Sequence, residues 1–254
     1  LFKIPACAGM TGVGGISGIG ENSSNMINNQ IATMHVSNQT IPSLFSRKPL
    51  VKVCGITRKQ DIQTCIDLDV DLLGFIFHPK SPRKISPRDV PDLSTFPVNT
   101  VGVFVNQGPD EIAQIMETAG LDLAQLHGDH SPETCRILGP SRVIKVFWPM
   151  RYEGMDDLRR DMDRFALVCA AFLLDAGMKS GGHGTSLDFT NLIGLNPPRP
   201  WLLAGGLGPA NIAQARGCNP DGFDLNSGVE SDPGIKDPEK IKQAMHLIRP
   251  HATL

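Results

Sequence analysis

The chain has 254 residues, 41% hydrophobic and 20% charged, with a formal net charge of −2. That near-neutral balance argues against nucleic acid or an anionic membrane as the main partner, and no apolar run approaches the roughly 18–20 residues that cross a bilayer. Cysteines stand at 7, 54, 65, 135, 169 and 218 without a C-x-x-C pair, which reads as reduced thiols of a cytoplasmic protein rather than a disulfide framework or a zinc site.

Residues 1–48 are rich in Gly, Ser and Asn, as in AGMTGVGGISGIGENSSNMINNQ, and show neither a period of 2 nor one of 3.6. Their glycines never form G-x-G-x-x-G after a strand, so a nucleotide loop is a poor reading. No apolar stretch of secretory length follows Lys3. The expectation is a disordered extension, or upstream sequence read ahead of a start at Met26 or Met34, contributing neither core nor site.

From residue 49 to 254 the pattern changes. Apolar runs suited to buried parallel strands begin near Val51, Asp71, Thr100, Asp122, Arg142, Ala170, Trp201 and Gly222. Segments with helical spacing alternate with them: RKQDIQTCIDL, PRDVPDL, GPDEIAQIMETAG, SPETCRIL, GMDDLRRDMDRF, SLDFTNLIG, GPANIAQARG and DPEKIKQAMHLI. Several open with a first-turn Pro or an N-cap Ser or Asp. Eight strand–helix units in about 200 residues predict an α/β fold, a (β/α)8 TIM barrel, rather than a doubly wound sheet.

In such a barrel the C-terminal strand ends carry the chemistry. Strand 1 ends in Cys54-Gly55, strand 2 runs into FHPKSPRKIS, strand 4 ends in QLHG, and strand 6 ends in Asp175 before AGMKSGGHGTS. Strand 7 ends in AGGLGPAN and strand 8 in NSGVESDPG. Gly205, Gly206 and Gly208, with Ser227 and Gly228, are the expected phosphate-binding residues. Glycines leave backbone N–H groups open, a helix is expected to start near Pro209, and loops 7 and 8 commonly hold phosphate in this architecture. Cys54 and Asp175 each keep a structural reading as well, since a strand cysteine is ordinarily a small buried hydrophobe and an aspartate at a strand end can cap the loop that follows.

The motifs KVCGITR, GFIFHPKSPRKIS, VGVFVN, QLHG, LLDA with GGHG, LLAGGLGPAN and DLNSGVESDPGIKD, in that order over about residues 50–248, resemble phosphoribosylanthranilate isomerase of tryptophan biosynthesis. The resemblance implies isomerisation of N-(5-phospho-β-D-ribosyl)anthranilate to 1-(2-carboxyphenylamino)-1-deoxy-D-ribulose 5-phosphate, an Amadori rearrangement that needs no metal and no organic cofactor. It places the general base at Cys54 and the general acid at Asp175, and matches Arg83 to the anthranilate carboxylate. Lys80 and Lys84 are expected in solvent, the other five cysteines in structural positions, and His127 as a structural residue bonding the rim backbone. His183, in place of a small hydroxyl residue, and Phe189, after Asp188 and in place of a Trp, depart from the family pattern and bear on loop mobility and affinity. The implied partner is a small phosphosugar-anthranilate substrate, with association with other tryptophan-pathway enzymes left open.

Two alternatives stay open. A sister phosphosugar barrel, resembling indole-glycerol-phosphate synthase or a pentose-phosphate epimerase, would show strand-end Lys/Glu pairs or metal-binding His/Asp clusters. A non-catalytic phosphate-binding relic would have lost Cys54 or Asp175. Strand alternation yields one more expectation: Lys52 shares the inward face with Cys54, as Asp224 does with Asn226, and strand 8 closes on strand 1. Lys52 and Asp224 should therefore form a buried ion pair one layer below the site.

Overall fold

The computed structural model describes Leu44, residues 49–177 and residues 189–250. Eight parallel strands close into a barrel in sequence order: β1 Leu50–Cys54, β2 Leu72–Ile76, β3 Asn99–Phe104, β4 Leu123–Leu126, β5 Val143–Phe147, β6 Ala171–Asp175, β7 Trp201–Leu207 and β8 Gly222–Leu225. Each starts within one residue of its expected position. Strand β8 pairs with β1 and closes the ring.

The strands are apolar throughout because both faces are covered. Along β5, Val143 and Phe147 belong to the cluster shared with the helices, while Ile144 and Val146 belong to the barrel interior. Helices α1 Lys59–Asp67, α2 Pro109–Thr118, α3 Pro132–Leu138, α4 Met155–Phe165, α5 Ile212–Ala215 and α6 Pro238–Ile248 surround the ring. Their buried stripes follow helical spacing, as with Leu158, Met162 and Phe165 on α4. Ser131 and Asp237 cap α3 and α6 by accepting backbone N–H bonds.

Two expected helices shrink. PRDVPDL keeps a single 3-10 turn, Pro87–Asp89, and Val90 is already extended (ψ 120°). Pro91 accounts for this, since it offers no N–H and pushes the residue before it out of the helical region. In SLDFTNLIG, Thr190–Leu192 form one 3-10 turn, and residues 186–188 lie outside the described residues. A short hairpin, β9 Glu230–Asp232 with β10 Ile235–Lys236, follows β8 and had no counterpart in the expected elements.

The segment before residue 49 is not wholly outside the core. Leu44 is buried and belongs to the interior cluster with Leu50, Leu72 and Leu123, which begin β1, β2 and β4. The expectation that residues 1–48 contribute no core fails at this position, because the N-terminal mouth of a closed barrel exposes apolar side chains that need a cover. The rest of that segment lies outside the described residues. Among the described residues no helix is long and apolar enough to cross a membrane.

Candidate active site

Cys54 closes β1 and Asp175 closes β6, three strands apart around the ring through β7 and β8. Cys54 is 4% exposed. Asp175 is partly buried, its Oδ1 accepts the Gly177 N–H at 2.9 Å, and Oδ2 lies 3.8 Å from His127 Nε2. Burial raises the Asp175 carboxyl above the ordinary carboxylate value, against the lowering pull of the Gly177 N–H, Arg151 and Lys52. That shift suits a proton donor. Burial also pushes the Cys54 thiol up, and Lys52 only partly offsets it. The desolvation of the barrel interior overrides the neighbouring ammonium.

The ion pair one layer down is present. Lys52 Nζ donates to Asp224 Oδ1 at 2.9 Å, with side chains 0% and 7% exposed, and the two residues are register partners across β1 and β8. Space for it comes from β2: a Cβ added at Gly74 would lie 2.8 Å from Cys54 Sγ and 3.0 Å from Lys52 Nζ. Only a residue without a side chain leaves both the thiol and the ammonium where they are.

His127 has a different environment from the one expected. Its ring faces Asp175 rather than the rim backbone, with Gln125 Nε2 at 3.5 Å from Nδ1 and Trp148 packed edge-on at 5.1 Å. Burial lowers the imidazole to about 4, so the ring is neutral at physiological pH. Gln125 escaped sequence reasoning, although its period-2 offset from His127 on an otherwise apolar strand was a usable signal.

The expected phosphate loops meet backbone to backbone. A Cβ at Gly208 would fall 2.3 Å from the Gly228 carbonyl oxygen, and one at Gly228 would fall 2.2 Å from that of Leu207. Gly205 and Gly206 have φ of 117° and 66°, and Gly205 abuts Gly177 next to Asp175. Ser227 and Gly228 open the 3-10 turn Ser227–Val229. One detail departs from expectation: the helix after β7 starts at Ile212, not near Pro209. The intervening turn is closed by Asn211, whose Oδ1 accepts the Gly208 N–H at 2.9 Å. That N–H is committed within the turn.

Arg83 lies at the same end of the barrel but is held by a partner that sequence reasoning missed, Glu230, through contacts of 2.6 to 3.1 Å. Lys80 and Lys84 are exposed as expected. Cys65, Cys135, Cys169 and Cys218 are buried, and burial raises the first three to about 12, about 11 and about 12. Phe189 is 1% exposed in the outer core, so it anchors the chain after the sixth loop rather than touching a ligand. Cys7, His183 and Asp188 lie outside the described residues. Among the described residues no group of three or more His, Cys, Asp or Glu is arranged to hold a metal ion.

Residues 51–246 match the model of the N-(5'-phosphoribosyl)anthranilate isomerase family. This chain belongs to that family. The N-(5'-phosphoribosyl)anthranilate isomerase of Maridesulfovibrio salexigens is 45% identical over 200 residues, which cover 78% of this chain and 98% of the relative. The phosphoribosyl anthranilate isomerase of Thermotoga maritima has a solved structure that superposes with a TM-score of 0.69 at 32% identity, covering 79% of this chain and 98% of that one. A solved isomerase complexed with reduced 1-(o-carboxyphenylamino)-1-deoxyribulose 5-phosphate gives a TM-score of 0.64 at 32% identity, with coverage of 79% and 98%. Membership in the isomerase family sets aside the synthase and epimerase alternatives.

Proposed function

We propose that this phosphoribosylanthranilate isomerase opens and rearranges its substrate with Asp175 as general acid and Cys54 as general base. Asp175 protonates the ribose ring oxygen, the ring opens to a Schiff base, and Cys54 removes the C2′ proton so that the aminoaldose becomes an aminoketose. The observation that carries this reading is the placement of one carboxyl and one thiol at strand ends three steps apart around the closed barrel. The raised Asp175 supports the acid role. For the thiol, the active protonation state differs from its alternative only by a proton moved between the two groups, with no change in net charge, and Lys52 favours the thiolate side.

The phosphate is held by the backbone of residues 205–206 and 227–228, and the anthranilate carboxylate by Arg83, whose planar fork suits two parallel bonds. The chain works as a cytoplasmic biosynthetic enzyme, and association with other tryptophan-pathway enzymes rests on the family resemblance alone. Cys54→Ala and Asp175→Asn should each remove most turnover, measured as loss of anthranilate fluorescence from substrate generated in situ, while competitive inhibition by inorganic phosphate stays intact. Near-normal turnover in Cys54→Ala would return the thiol to a packing role.

A further inference from the structure

Arg83 Nε donates to Glu230 Oε1 at 2.8 Å and lies 3.1 Å from Oε2, and its Nη2 donates to Oε2 at 2.6 Å. Glu230, the first residue of β9, is 7% exposed. Its Oε1 also accepts the Gly234 N–H at 3.1 Å and Lys236 Nζ at 2.7 Å, and Lys236 Nζ reaches Asn226 Oδ1 at 2.9 Å. Arg83 Nη1 makes no hydrogen bond among the described residues. The stem of Arg83 is fixed too: its Cδ stands 2.7 Å from where a Cβ of Gly55 would be, directly after Cys54.

From this geometry we propose that Glu230 is the positioning residue that aims Arg83 at the substrate carboxylate and so sets selectivity for the anthranilate end. This rests on the reading of Arg83 given above. A guanidinium offers two hydrogen-bonding edges. Glu230 occupies the Nε/Nη2 edge and leaves the Nη1/Nη2 edge for a second carboxylate.

Two physical consequences favour that use over a simple staple. An arginine free in water loses rotamer entropy when a ligand fixes it, and here the rotamer is fixed before substrate arrives. The anion does not cancel the pull of Arg83 either, because Lys236 shares Glu230 Oε1. The trio Arg83, Glu230 and Lys236 carries one net positive charge. Glu230 is held below the ordinary carboxylate value by Arg83 and Lys236, against its burial.

The test is a double-mutant cycle read on KM, with inhibition by inorganic phosphate, which carries no anthranilate carboxylate, as an internal control. Glu230→Gln should raise KM about tenfold, lower kcat less than twofold, and leave the phosphate inhibition constant unchanged. In an Arg83→Ala background the same change should raise KM less than twofold. If Arg83→Ala raises KM but Glu230→Gln does not, or the two effects multiply independently, the proposal is overturned. It is equally overturned if phosphate inhibition weakens in parallel, since Glu230 would then be holding the loops in general. An unchanged KM in Arg83→Ala alone would instead sink the reading of Arg83 as a carboxylate ligand, a separate failure.

Discussion

Lys52 and Asp224 show how the interior of the barrel floor acts on the thiol above it. Each is buried, and each relies on the other for its charge. Removing one leaves an ion in a medium that solvates it poorly, so Lys52→Met should cost about 3–5 kcal/mol in urea unfolding at neutral pH. The Asp224 carboxyl is already raised by burial. A carboxyl whose folded pKa lies above its unfolded value gains stability as pH falls, so the deficit of Lys52→Met should shrink in acid. The same change should raise the Cys54 pKa, read from alkylation rate against pH, because Lys52 is its largest lowering influence. A variant with parental stability and thiol pKa would refute the coupling. His127 predicts a second pH effect. Its folded pKa of about 4 lies below the ordinary 6.5, so as pH falls the unfolded chain takes up a proton before the folded one does. Stability should therefore decline from pH 6.5 towards 4 and level off below. His127→Gln should show a shallower decline over that window in thermal melts, and an identical profile would mean that the ring is not desolvated.

At the scale of elements, what was legible in the sequence followed from period. Eight apolar runs gave eight strands, and inward alternation on β1 and β8 placed Lys52 opposite Asp224. Where helical spacing alone was used it overreached, since PRDVPDL has the apolar spacing of a helix while Pro91 forbids its second turn. The candidate site divides the same way. Cys54 and Asp175 stand at strand ends and were found by reading where the runs stop. Glu230 and Lys236 sit on a two-strand hairpin too short for a pattern, and their importance arises from contacts across 147 and 6 residues of chain. A further regularity also went unread. Before three of the four even-numbered strands, β2, β4 and β8, an aspartate accepts a backbone N–H from the strand before it: Asp71 from Val51, Asp122 from Thr100 and Asp221 from Trp201. These carboxylates satisfy donors at the N-terminal ends of β1, β3 and β7 that the ladder leaves open. The signal was visible as Asp preceding each of those runs, but a lone Asp before a strand reads equally well as a turn residue.

Over the whole molecule, the two ends of the barrel are finished by opposite means. The C-terminal mouth is polar and carries the proposed chemistry, while the N-terminal mouth must be shut. Arg249, just after α6, bonds the Pro49 carbonyl oxygen at 3.1 and 2.9 Å and that of Asp69 at 2.8 Å, and pairs with Asp71. The last helix is thereby tied to the start of β1. Leu44 adds an apolar contribution from before β1, 5% exposed within the interior cluster. These observations separate two deletions that composition alone treated as one. Removing residues 1–43 should leave kcat, KM and the thermal midpoint nearly unchanged, because the proposed active-site residues and the described core begin after them. Removing residues 1–48 takes away a buried leucine and should lower stability by about 2–5 kcal/mol, the range for truncating a leucine in a closed core. Leu44→Ala in the full chain should reproduce most of that loss while turnover at 25 °C stays intact, since the cover and the proposed acid–base pair lie at opposite ends of the strands. Urea unfolding of the three variants beside the parent decides it: if Leu44→Ala is as stable as the parent, the barrel floor closes without it.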